Sequence, residues 1–315
     1  MFVVEERAST ILYNFLVSQG DKRKYILPAN ICPIVPLTLF KAKQSFEFVD
    51  INLNTMCMDE AAVFELLQAR LNDYAGVIYV HTYGVIRSAE EDFFLKLKNL
   101  SNSLLIIDDR CLCKPDFNVP YGTLADVVLY STGESKVIDI GWGGYAWLRQ
   151  GILYRQHNLA YSKEDYERLV SDYKACISDN RRYNYCESDW LKTRGDNSFY
   201  DYRQEVERQA DVIFLHKQTM NEIYASNLSP AIQMSPEYQL WRFNILVDKK
   251  EQLLQNIFAN GLFASSHYPS LTNIMSEGIS LNAESLHKRV INLFNDLRFS
   301  LEQAEKIVEI INKHA

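Results

Sequence analysis

Asp126-Val127-Val128-Leu129-Tyr130-Ser131-Thr132-Gly133-Glu134-Ser135-Lys136 is the stretch on which the reading of this chain turns. Its first half is continuously apolar and β-prone, as in a strand covered on both faces. Its second half is small and polar, ends on a lysine, and leads into Gly141-Trp142-Gly143-Gly144. A buried strand opening into a polar loop is where an open parallel sheet presents its reactive groups. Two other runs behave alike. Leu104 to Ile107 ends in Asp108-Asp109, and Val77 to Val80 ends in His81-Thr82-Tyr83. Three strand ends thus offer a hydroxyl and an amine, a carboxylate, and an imidazole with a phenol.

The surrounding pattern alternates. Helical spacing is predicted over residues 8–19, 59–71 and 90–100, with short strands at 24–27 and 46–50 between them. This predicts an α/β fold: a mostly parallel sheet sandwiched by helices. Beyond about residue 150 the pattern changes. Helices are predicted at 162–176 and 202–227, a strand at 241–247, and a helix at 251–260 closed by Gly261. Further helices are predicted at 286–295 and 299–313. These make a smaller C-terminal α+β domain over 205–315, after a large domain over 1–204. Residues 180–202 are polar and aromatic, and suit a loop that reaches a partner subunit; Tyr185, Trp190, Arg194, Tyr200 and Tyr202 stand out there.

With 315 residues and 47% hydrophobic content, a substantial core is available. The net charge of -7 argues against a general nucleic-acid partner. The cysteines at 32, 57, 111, 113, 176 and 186 include no C-x-x-C pair, so reduced thiols are expected and neither a disulfide framework nor a metal site. Met1-Phe2-Val3-Val4 turns charged at Glu5-Glu6-Arg7, which does not look like a secretory signal. No apolar run reaches membrane-spanning length. A cytoplasmic location is therefore expected. Neither a Gly-x-Gly-x-x-Gly turn nor a Gly-x-x-x-x-Gly-Lys loop occurs, which weakens dinucleotide and ATP readings.

An amine and a carboxylate at neighbouring strand ends suit pyridoxal 5'-phosphate. A lysine condenses with its aldehyde, and an aspartate keeps its pyridine nitrogen protonated. Lys136 and Asp109 are the candidates. Ser131, with Ser9 and Thr10 at the start of the first helix, would hold the phosphate. Plainer readings exist for each residue: a solvated lysine, a helix-capping aspartate, a core histidine at 81, a tight turn at 141–144.

The pieces together resemble the DegT/DnrJ/EryC1/StrS sugar aminotransferases, of fold-type I among pyridoxal phosphate enzymes. Tyr25 to Pro33 is similar to that family's strand and proline turn, and Phe48-Val49-Asp50-Ile51 to its next strand. Val80-His81-Thr82-Tyr83-Gly84 looks like its V-H-x-Y-G, and Ile107-Asp108-Asp109 like its I-E-D. Ser131 to Lys136 matches its spacing from phosphate-binding serine to Schiff-base lysine. Tyr183-Asn184-Tyr185 resembles its N-Y-R-M segment, and Trp241-Arg242-Phe243 with Ser266-His267-Tyr268-Pro269 its small-domain strand and turn.

The resemblance implies that Lys136 carries the cofactor and moves protons, and that Asp109 pairs with the ring nitrogen. Ser9, Thr10 and Ser131 would hold phosphate, Cys32 would face the ring, and Asn184 would reach the partner subunit's cofactor in a homodimer. His81, Tyr83, Arg242 and His267 become candidate substrate contacts. The implied reaction moves an amino group from glutamate to a keto sugar linked to a nucleotide, for surface polysaccharide or related sugar biosynthesis. The chain departs from the family pattern at Ile31, Arg110, Leu112 and Cys186. Other pyridoxal chemistry, and a non-catalytic relative that binds a sugar nucleotide or supports a partner, stay open at this level.

Overall fold

The computed structural model describes residues 1–193 and 198–314, so Arg194 lies outside the described residues. In chain order the elements are β1 (Phe2–Glu5), α1 (Ala8–Gln19), β2 (Lys24–Pro28), α2 (Ile34–Lys41), β3 (Phe46–Val49), α3 (Glu60–Arg70), β4 (Tyr74–Val80) and α4 (Ala89–Leu100). Then come β5 (Leu105–Asp109), β6 (Val127–Ser131), β7 (Gly144–Leu148), α5 (Lys163–Ser178) and α6 (Phe199–Asn227). The chain closes with β8 (Phe243–Leu246), α7 (Lys250–Ala259), β9 (Ala264–Ser265), α8 (Leu281–Arg289), β10 (Val290–Leu293) and α9 (Leu301–His314).

The large sheet has seven strands in the order β1-β7-β6-β5-β4-β2-β3. From β3 to β6 every pairing is parallel, and β7 runs antiparallel to both β6 and β1. The continuous apolar runs are explained by this topology. Every residue of β4 and β6 is buried, because helices cover both faces of the sheet. Strand alternation divides the interior into two cores. Ile107 and Leu129 pack with α1, α2 and α5, while Ile106 and Val128 pack with α3, α4 and the first half of α6. The α/β architecture expected from the sequence is therefore present.

A second, antiparallel sheet of order β8-β10-β9 forms a third core with α7, α9 and the second half of α6. Helix α6 is 29 residues long and continuous. Tyr202, Val206 and Ile213 serve the large sheet, Met220 and Tyr224 the small one. The division expected at 204/205 falls inside this helix.

One expectation is corrected. Residues 286–295 are not a helix: α8 ends at Arg289 and Val290-Ile291-Asn292-Leu293 form the central strand of the small sheet. Helical periodicity continues across this segment, but β8 and β9 supply hydrogen-bonding partners on both sides, and that pairing prevails. Strands β1 and β7, unanticipated, extend the large sheet at one edge. No helix among the described residues is long and apolar enough to cross a membrane.

Candidate active site

The carboxyl ends of β5 and β6 open beside the start of α1 onto a cavity of about 440 Å³, within the range typical of small-molecule sites. Ser9, Cys32, Asp109, Ser131, Lys136 and Trp142 are among its lining residues. Residues separated by up to 186 positions in the sequence, Glu6 and Lys192, thus face one space.

Strand alternation decides which of two adjacent aspartates serves the cavity. Asp109 shares its face with Ile107, toward α1, and is buried with its carboxylate accepting the Cys111 N–H at 3.0 Å. Asp108 turns to the opposite face. There its carboxylate lies 2.5 Å from His81 Nε2 and accepts from Arg110 Nε at 2.7 Å. Arg110 therefore points away from the cavity, and its length does not crowd it.

His81 belongs to that buried network, its Nδ1 being 3.3 Å from the Glu90 carboxylate. Burial alone would depress the imidazole, but Asp108 and Glu90 together hold its pKa well above 6.5. His81 is held as a buried cation by these two carboxylates. It does not line the cavity as the sequence reading expected of a substrate contact.

Several other expected positions do not line this cavity. The Thr10 side chain is fully buried and donates to the Lys192 carbonyl at 2.6 Å, so its hydroxyl is committed elsewhere. Tyr83 is buried, stacked on Trp241 at 6.2 Å, and donates to the His267 carbonyl at 2.8 Å. Arg242 is buried with its guanidinium 3.7 Å from the centre of the Phe294 ring, and burial pushes its pKa down to about 10. His267 lies outside the cavity lining, its N–H donating to Asn292 Oδ1 at 2.7 Å. Burial, then the charges of Arg242 and Lys136, push its imidazole down to about 3, so it is neutral. Asn184 is exposed and does not line the cavity of its own chain, so its expected role toward a partner subunit is neither met nor opposed within one chain.

The lysine loop is held from within its own segment and from residues near the small sheet. Asp139 accepts the Ser135 N–H at 2.7 Å and the Gly141 N–H at 2.9 Å. From the C-terminal part of the chain, Trp241 Nε1 donates to the Ser135 carbonyl at 2.7 Å, and Arg298 pairs with Asp139 at 2.7 Å. Sequence reading missed Asp139 and Arg298, because only folding brings a loop at 139 against one at 298. Around Lys136, burial raises the Cys32 thiol against the lowering influence of the lysine charge, and raises Cys111 well above its usual value. Both thiols are neutral packing groups.

Gly143 and Gly144 set the distance between β7 and α1. A Cβ on Gly144 would stand 2.3 Å from the Ala8 backbone N, and one on Gly143, at φ +94°, would stand 2.6 Å from the Tyr202 ring. Ala8 cannot retreat without dragging the start of α1 away from the cavity. Gly144→Ala should therefore cost about 1–3 kcal/mol from overpacking and weaken cofactor retention, as read by urea unfolding and by the residual absorbance of the dialysed protein.

The fold, with a lysine and an aspartate facing one cavity at the strand ends, defines a fold-type I pyridoxal phosphate-dependent aminotransferase. The chain belongs to the DegT/DnrJ/EryC1/StrS aminotransferase family, which it matches over residues 39–312. No curated protein matches it. Among solved structures it is similar to the putative sugar aminotransferase Spr1654 from Streptococcus pneumoniae in its PMP form. The identity is 15%, the TM-score 0.73, and the match covers 99% of this chain and 87% of that one. It is also similar to the sugar aminotransferase CalS13 from Micromonospora echinospora, at 14% identity, TM-score 0.69, and coverage of 100% and 87%. DesI, solved in the presence of its TDP-sugar product, gives 14% identity, TM-score 0.74, and coverage of 99% and 80%.

Proposed function

We propose that this enzyme transfers an amino group from glutamate to the keto carbon of a nucleotide-linked sugar, for surface polysaccharide or related sugar biosynthesis, as a cytoplasmic homodimer using pyridoxal phosphate. The observation carrying the reading is that Lys136 and Asp109 line one cavity beside the N-terminus of α1. The residues present suit that cofactor: an amine, a carboxylate, two hydroxyls and uncapped helix amides within a single concave space. When bound, pyridoxal phosphate supplies an electron sink through which an amino group can pass between substrates.

The protein's own part follows from its side chains. Asp109, buried in the cavity wall, would hold the ring nitrogen and keep it protonated. Ser9, Ser131 and the first amides of α1 hold the phosphate, and Asn184 of a second copy completes that end. Lys136 would hold the aldehyde end of the cofactor, and its amine would serve as the proton carrier at the substrate carbon. A nucleotide-linked sugar is favoured because DesI, of similar fold, was solved with a TDP-sugar product.

The test is spectroscopic. Protein incubated with pyridoxal phosphate should turn yellow, and borohydride should bleach it and leave a covalent adduct on the peptide containing Lys136. Glutamate alone should discharge the yellow band. A protein that stays colourless throughout would end this reading.

A further inference from the structure

A cation stands where a helix tolerates it least. Arg7 is the N-cap residue of α1, with extended backbone at φ −147° and ψ 150°. Its side chain caps nothing, and the first turn of α1 has no acidic residue. Helix-start amides carry partial positive charge, so a guanidinium beside them is repelled. Serine, threonine, aspartate or asparagine occupies such a position when stability alone decides.

This unfavourable arrangement is held in place. The Arg7 guanidinium lies over the Tyr166 ring, 4.3 Å from its centre, and both residues line the cavity of the active site. The neighbouring carboxylate does not relieve it, since Glu6 is engaged by Lys192 at 2.6 Å. No carboxylate of the described residues pairs with Arg7, nor does its guanidinium donate a hydrogen bond to any of them. A pre-oriented guanidinium, a helix start with no side-chain cap, and the Ser9 and Ser131 hydroxyls thus share one space. A local arrangement that costs stability is expected where a ligand makes use of it.

We infer that Arg7 is the principal cationic ligand of a phosphate group bound at the start of α1. A planar guanidinium gives phosphate two parallel charge-assisted hydrogen bonds, and stacking on Tyr166 lowers the ordering cost of forming them. The phosphate has two sources in the proposed function, on which this inference builds: the ester phosphate of the cofactor and the diphosphate of the nucleotide sugar. The inference itself concerns the shared chemistry.

Ligand-free wild-type protein, Arg7→Ala and Arg7→Lys are titrated with pyridoxal phosphate, pyridoxal, inorganic phosphate and a nucleoside diphosphate. Binding is read by intrinsic fluorescence, since Trp142 lines the cavity. Arg7→Ala should bind pyridoxal phosphate about 10- to 100-fold more weakly with pyridoxal unchanged, and Arg7→Lys should fall between. The ligand-free melting temperature should stay close to that of the wild type, because Arg7 is partly exposed and makes no ion pair among the described residues. Weakening confined to the nucleoside diphosphate would assign the phosphate to the substrate and still support the site. Unchanged affinity for every phosphate probe, or equal losses for pyridoxal and pyridoxal phosphate, would overturn the inference. If wild-type protein captures neither aldehyde, the proposed function fails instead, and the inorganic phosphate titration still decides Arg7.

Discussion

Lys136→Ala is expected to lower turnover by at least about 10²–10⁴-fold, the usual contribution of a positioned acid–base group, while leaving the unfolding midpoint in place. Lys136 lines the cavity, and its amine has no hydrogen-bond or ion-pair partner among the described residues. Deleting it removes chemistry and little structure. The loop keeps its shape through Asp139, Trp241 and Arg298, none of which touches the lysine amine. Lys136→Arg should fail as well, because a guanidinium stays protonated and cannot attack an aldehyde. Single-turnover assays with glutamate, borohydride labelling and thermal melts on the same samples provide the check. A variant with near-normal turnover, or one that is unfolded, would contradict the role given to this residue.

Asp108→Asn should do the reverse, destabilising the fold by about 3–5 kcal/mol, as expected when one member of a buried ion pair is removed. Asp108 is fully buried between His81 and Arg110. Burial alone would raise its carboxyl pKa, but His81 and then Arg110 hold it below 3.8. The lowered carboxyl contributes stability above 3.8 that is lost as pH falls through its folded value. The raised imidazole contributes stability in full below 6.5 that is lost as pH rises through its folded value, well above 6.5. The gap between wild type and variant should therefore be widest between pH 3.8 and 6.5 and narrow at alkaline pH. Urea unfolding across that range measures it. A gap that stays level above pH 6.5 instead of narrowing would mean that His81 is neutral in the native protein. Activity should fall too, since Asp109 is the next residue of β5 and moves with that strand.

Much of the site could be read in the linear chain because it follows from strand physics. Continuous apolar runs marked β4, β5 and β6, and groups at the ends of such strands open on the same edge of the sheet. Lys136, Asp109 and Ser131 were accessible in that way. Thr10 and Arg242 were not, since the residue type does not say where a side chain points. The Thr10 hydroxyl is taken by a carbonyl 182 residues away, and Arg242 is drawn into an aromatic bed at Phe294. His81 follows an apolar strand as a ligand-binding residue would. Only the opposite face of β5, carrying Asp108, turns it into a buried cation.

Local rules also failed where partners lie far off in sequence. Val290 to Leu293 continues a helical pattern, but β8 and β9 flank it and make it a strand. Arg7 fails in an informative direction: by local preference it is a poor helix cap, and its setting in a cavity wall gives that misfit a use.

The order of residues by itself determined the layered α/β class and the placement of Asp109 and Lys136 at strand ends, because hydrophobic period and strand-end position act over a few residues. Tertiary structure alone decided which aspartate faces the cavity from a packed sheet, which hydroxyls remain free, and what grips the lysine loop. Those outcomes depend on groups more than a hundred positions apart competing for the same hydrogen bonds and the same buried volume, and that competition takes place only in the folded chain.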